Sequence, residues 1–103
     1  MFTDRVEFYD VSKQAWSGAP SLNKARINHS SCVIGDMIYT FYGNSDPSNM
    51  DRPETSIERL NTKTLNRWET IMEETQLSER IRPLLAPFSN SEIYLLGGKS
   101  TFM

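Results

Sequence analysis

The two halves of this chain carry the same landmarks in the same order. Val6-Glu7-Phe8-Tyr9-Asp10, Trp16, Arg26, His29, Met37-Ile38-Tyr39 and Gly43 are followed by Ile57-Glu58-Arg59-Leu60-Asn61, Trp68, Arg80 or Arg82, Glu92-Ile93-Tyr94 and Gly97-Gly98. The separations are 51 residues from Val6 to Ile57, 52 from Trp16 to Trp68, and 55 from Tyr39 to Tyr94 and from Gly43 to Gly98. Spacing that drifts by a few residues is what loop insertions between fixed elements produce. A tandem unit of this size cannot bury its own apolar surface and depends on its neighbours, so the repeat constrains the fold more tightly than length does.

Within each unit, short runs rich in β-branched and aromatic residues, bounded by Gly, Pro, Asn and Asp, read as strands. They cover residues 6–9, 31–34, 37–42, 56–60, 68–71 and 93–96. Gly35-Asp36 joins two of them, and Ser89-Asn90-Ser91 holds the equivalent place one unit later. Both suit hairpin turns, because Gly and Asn tolerate positive φ. Residues 10–14 and 61–66 read as polar hairpin tips, and links this short predict four-stranded antiparallel meanders. One stretch competes for helix. Residues 69–81 hold good helix formers, no breaker before Pro83 and a loose apolar spacing, so a helical turn after residue 72 is the alternative there. Residues 44–55, with Pro47 and Pro53, read as a long surface loop.

Eleven basic and thirteen acidic residues give a formal charge of -2, which leaves no electrostatic footprint for nucleic acid. No apolar run reaches the ~18 residues of a membrane span, and the N-terminal residues lack a signal-peptide layout, so no membrane partner and a cytoplasmic location are expected. Cys32 is the sole cysteine and cannot form an intrachain disulfide. It lies among apolar neighbours and reads as a small buried hydrophobe. His29 is the sole histidine and reads as a structural hydrogen-bonding group. One His and one Cys do not assemble a transition-metal site, so neither metal nor cofactor is expected. Asn28-His29-Ser30 fits a glycosylation pattern that a cytoplasmic chain would not use. No carboxylate pair stands out as catalytic. Glu7 and Glu58 recur at the same place in both units and are expected to pair with a neighbouring arginine such as Arg5 or Arg59.

These landmarks resemble the kelch repeat. A kelch unit shows an Arg ahead of its first strand, an Ile-Tyr strand ending in two glycines, a Val-Glu-Arg-Tyr-Asp-like strand, and a Trp downstream of that Tyr. Tyr9 and Trp16, seven residues apart, match the last feature; Arg26 to Tyr39 fits the first half, and Ile93-Tyr94-Leu95-Leu96-Gly97-Gly98 fits the second strand. The chain departs from the pattern at Tyr42-Gly43, where two glycines are usual, and at Leu60, which replaces the Tyr and lies eight residues before Trp68.

The resemblance implies an all-β chain, a partial kelch-type β-propeller of four-stranded antiparallel blades. It supplies about two blades and starts and ends mid-blade. With strands lettered A to D outward from the axis, residues 5–18 give strands C and D of one blade, 26–72 a complete blade, and 82–98 strands A and B of the next. Trp16 and Trp68 are then expected to wedge between successive blades in equivalent surroundings, each burying ~150–250 Å². Tyr39 and Tyr94 are read the same way, Tyr9 marks the third strand, Gly43 stands at the glycine-pair position of the first unit, and Gly97-Gly98 permits close backbone approach near a crowded centre.

The resemblance further implies a non-enzymatic protein-interaction module, a scaffold or substrate-recognition segment that binds a partner protein through its blade loops. Residues 18–25, 44–55 and 73–79 should emerge at one end. Arg26, Asn28, Asn44, Arg80, Arg82 and Lys99, carried over by position, are the candidate partner contacts, and the arginines favour an acidic peptide or loop. The alternative is part of a propeller enzyme of oxidase or isomerase type whose catalytic residues lie outside these 103 positions. Open blades also expose strand edges, so self-association or completion by further blades is expected.

Overall fold

The computed structural model describes residues 2–50, 52–73 and 82–99. Eight strands follow in order: β1 (Val6–Asp10), β2 (Ala15–Ala19), β3 (Ser30–Ile34), β4 (Met37–Phe41), β5 (Ile57–Asn61), β6 (Glu69–Met72), β7 (Leu84–Phe88) and β8 (Glu92–Leu96). They form three antiparallel sheets, ordered β1-β2, β3-β4-β5-β6 and β7-β8, and no helix occurs among the described residues. Of the stretch that competed for helix, residues 69–72 are β6, and 74–81 lie outside the described residues. Strands β2 and β7 fall on weakly patterned sequence, where pairing with β1 and β8 rather than apolar alternation defines them.

The repeat extends to backbone conformation. Ten described residues have positive φ, and they form five pairs one unit apart. Gln14 (51°) matches Leu65 (48°), Asn28 (58°) matches Arg82 (55°), and Gly35 (58°) matches Ser89 (57°). Tyr42 (58°) matches Gly97 (66°), and Gly43 (84°) matches Gly98 (93°). Non-glycine residues adopt this region at a cost. Its recurrence beneath unlike side chains means that the turns impose it. At the hairpin tips the cause is visible: Asp10 Oδ1 accepts from Ser12 Oγ and Lys13 N, and Asn61 Oδ1 accepts from Lys63 N and Thr64 N. Each tip is thereby wound into a turn that ends in the left-handed residue.

The core forms where residues 20–22, leaving the β1-β2 arm, cross the central sheet. Leu22, Leu60 and Trp68 are buried together, with Val6 and Ile38 packed against them. Trp68 is 3% exposed, and its indole N–H donates to the Pro20 carbonyl at 2.8 Å. Trp16 departs from the expected equivalence: it is 68% exposed and meets Tyr9 at a ring separation of 5.3 Å. The sequence positions match, but Trp68 has the arm laid over it, and no described element covers Trp16. Tyr39 is half-buried, whereas Tyr94 is exposed and edge-on to Phe88. On the other flank β7 lies beside β3, tied by Arg82 N donating to the Asn28 carbonyl and by Ser30 Oγ donating to the Pro83 carbonyl.

At Gly43 two stretches of backbone come close together. A Cβ there would sit 2.3 Å from the Ile27 oxygen and 2.7 Å from the His29 nitrogen, both backbone atoms that cannot swing aside. Gly97, expected to allow close approach, has no described residue within 4 Å of its Cβ position; its positive φ of 66° is what favours glycine there. Two contrasts follow for urea unfolding. Gly43→Ala should cost about 3 kcal/mol or more, against less than about 0.5 kcal/mol for Gly18→Ala, whose site is open. Trp68→Ala should cost about 3–5 kcal/mol and Trp16→Ala about 1 kcal/mol or less. Equal losses within either pair would contradict this packing.

Candidate functional site

Glu58 and Leu60 are two apart on β5 and so share one face, which residues 20–26 cover. Leu60 meets Leu22 there, and Glu58 meets Arg26. Both charged side chains are 0% exposed, with Arg26 Nη2 2.6 Å from Glu58 Oε2. Arg26 also donates to the Tyr42 and Ser56 carbonyls and to Ser56 Oγ. Glu58 in turn accepts from the backbone N–H groups of Asn23 and Lys24. The expected Glu58–Arg59 pair does not form, because adjacent strand residues face opposite ways; Arg59 pairs instead with Glu69 across β5-β6 at 2.6 Å. Glu7 does pair with Arg5, at the surface and 3.7 Å away.

A second buried carboxylate holds the loop that follows β4. Glu54 accepts from Ser45 Oγ, Ser56 N and Lys24 Nζ, and its own N–H donates to the Gly43 carbonyl. Burial alone would raise its pKa, but the hydrogen bonds from Ser45, Ser56 and Lys24 outweigh it and bring the group down to about 2. Thr55 Oγ1 donates to the Glu73 carbonyl. Residues 18–25, 44–55 and Glu73 therefore meet at one end of the central sheet. Between them lies a polar groove of about 340 Å³ lined by Lys24, Ser45, Asp46, Arg52, Thr55 and Glu73 among others.

The candidate contact residues divide into three groups. Arg26 and Asn44 are interior: Asn44 is 0% exposed, its amide donates to the Met50 carbonyl, and its side-chain oxygen accepts from Asn28. They brace the loop end and do not reach solvent, a correction to their reading as contacts. Arg82 is exposed and donates from Nε to Asn28 Oδ1 at 2.8 Å, so Asn28, Asn44 and Arg82 form one chain of side-chain hydrogen bonds. Lys99 is exposed, and Arg80 lies outside the described residues. Lys24, Arg52 and Glu54 had no periodicity or motif to mark them. His29 is exposed and makes no side-chain hydrogen bond among the described residues, against its structural reading. Cys32 is buried, and that burial raises its thiol pKa.

No protein-family model matches the chain, and no curated protein matches it significantly.

Removing one partner of a fully buried ion pair strands the other charge, so Glu58→Gln should cost about 3–5 kcal/mol in urea unfolding. A loss below about 1 kcal/mol would show the pair to be dispensable. Glu54 gives a pH signature. Its folded pKa, about 2, lies below the ordinary 4.5, so its contribution is complete above 4.5 and is lost as pH falls from there toward 2. Stability should drop by about 2 kcal/mol across that window, and Glu54→Gln should flatten the drop. An unchanged pH profile in the variant would contradict the assignment.

Proposed function

We propose that the chain supplies two repeat units of a kelch-type β-propeller and serves as a non-enzymatic, cytoplasmic protein-interaction module. In this reading it binds an extended acidic segment of a partner protein at its loop end. One observation carries the binding reading: three separate chain segments are tied around buried Glu54 and Glu58 into a fixed polar groove, whose wall holds Arg52 and the Glu54-paired Lys24 beside Asp46 and Glu73. Arg82 presents a further exposed guanidinium, which Asn28 and Asn44 connect to the loop. Loops on a rigid scaffold are where recognition concentrates, and an arginine fork suits a carboxylate. The matched turn conformations and the burial of Trp68 between arm and sheet support the propeller. Engagement of Arg26 and Glu58 by internal hydrogen bonds supports binding over catalysis, since neither is left to meet a substrate.

The test is selection of peptides on this chain from a random displayed library. Acidic extended sequences should be enriched, and Arg52→Glu with Arg82→Glu should weaken the best of them at least tenfold while the chain keeps a cooperative urea transition. Enrichment without acidic residues, or affinity untouched by the double reversal, would refute the proposal.

A further inference from the structure

A cavity of about 310 Å³ lies between the first turns of the arm, at residues 3–7, and the central sheet. One wall is apolar: Val6, Leu22, Ile38 and Trp68 line it, and the same side chains build the core. The other wall is polar and rich in cationic groups, with Arg5, Arg26, His29, Ser31 and Thr40. Arg26 and Thr40 are buried and form its depth, whereas Arg5, His29 and Ser31 are exposed and stand at its mouth. None of these residues lines the loop-end groove, so the two are separate places on the molecule.

The charges at this cavity do not cancel. Glu7 is the one carboxylate on its wall among the described residues, and it meets Arg5 loosely, at the surface and 3.7 Å away. Glu58, which pairs with Arg26, does not line it. The donors are also incompletely used. His29 makes no side-chain hydrogen bond among the described residues, and Arg26 Nε has no partner. The Ser31 and Thr40 hydroxyls, 3.0 Å apart, need only one of their two protons to bond each other, so the second is free to donate. Burial, and after it the positive charge of Arg26, holds the His29 imidazole below its ordinary pKa of 6.5; the guanidinium is felt at the mouth even though Glu58 pairs with it.

An apolar wall beside a few convergent polar groups is the profile of a small-molecule site, and a surplus of cationic donors selects an anion. We propose that this cavity binds a small aromatic carboxylate, with its acid group between Arg5 and His29 at the mouth and its ring against Val6, Leu22, Ile38 and Trp68. Arg26 adds charge from the depth and keeps its internal hydrogen bonds. A bare anion would leave the apolar wall unused, and an uncharged ring would leave the cationic donors unmatched. Glu7 competes with the ligand for Arg5.

This inference rests on the cavity and is independent of the loop-end reading; failure of acidic-peptide binding leaves it intact. The test is proton NMR of the sole histidine while indole-3-acetate or phenylacetate is titrated into the chain. Both should move the His29 ring signals saturably, with a Kd of about 1 mM or tighter. Indole-3-acetamide, which lacks the charge, and inorganic phosphate, which lacks the ring, should each bind at least tenfold more weakly. With indole-3-acetate bound, His29 should titrate at a higher pH than in the free chain, because a neighbouring anion favours the protonated ring. Arg5→Gln should weaken binding several-fold and Glu7→Gln should strengthen it, both at exposed positions. No saturable shift by either carboxylate up to about 20 mM overturns the proposal. Equal affinity for the amide or for phosphate overturns it, as does affinity that neither Arg5→Gln nor Glu7→Gln alters.

Discussion

The buried pair of Arg26 and Glu58 fixes how the rest of the chain comes together. Withdrawing two charges from water costs several kcal/mol for each ion, and a direct contact offsets this only when the remaining donors and acceptors are also used. Here they nearly all are. Glu58 draws in Asn23 N, Lys24 N and Arg26, and Arg26 spans the Tyr42 and Ser56 carbonyls and the Ser56 hydroxyl. Its Nε alone lacks a partner. Residues 23–26 are thereby pinned across β5. The same crossing lays Leu22 on Leu60 and Trp68, and it delivers the chain to β3.

From that crossing the loop end follows. Once Lys24 is held beside β5, its ammonium reaches Glu54, which also gathers Ser45 and the Ser56 amide. The loop after β4 is thus anchored near both of its ends, at Gly43–Ser45 and at Glu54–Ser56. Asn44 fastens its middle through Met50. A connection of fifteen residues, 42–56, would otherwise sample many conformations; internal carboxylates, rather than apolar packing, fix it as a groove wall.

Much of the strand layout was legible because short β-branched and aromatic runs and Gly or Asn turns act locally, and the repeat supplied each reading twice. The tip pairs Asp10–Gln14 and Asn61–Leu65 show this, with the same turn under different sequence. What escaped depends on partners distant along the chain. Glu58 finds Arg26, 32 positions away, while the adjacent Arg59 faces the other side of the sheet. That much could have been argued from strand alternation. Trp16 and Trp68 illustrate the opposite limit: equivalent positions describe equivalent roles within a unit and are silent on whether a neighbouring layer covers them. Asn44 read as a contact because its position in the repeat was carried over from the resemblance; its amide is instead spent holding that loop closed.

The most direct measurement is a double-mutant cycle on this pair. Equilibrium urea unfolding would compare the parent chain with Arg26→Met, Glu58→Met and the combination. If the ion pair organises the crossing, each single change leaves an uncompensated interior charge. The double change removes both, so its cost should fall below the sum of the singles by about 2 kcal/mol or more. Strictly additive losses would contradict the account and leave the crossing to apolar contacts alone.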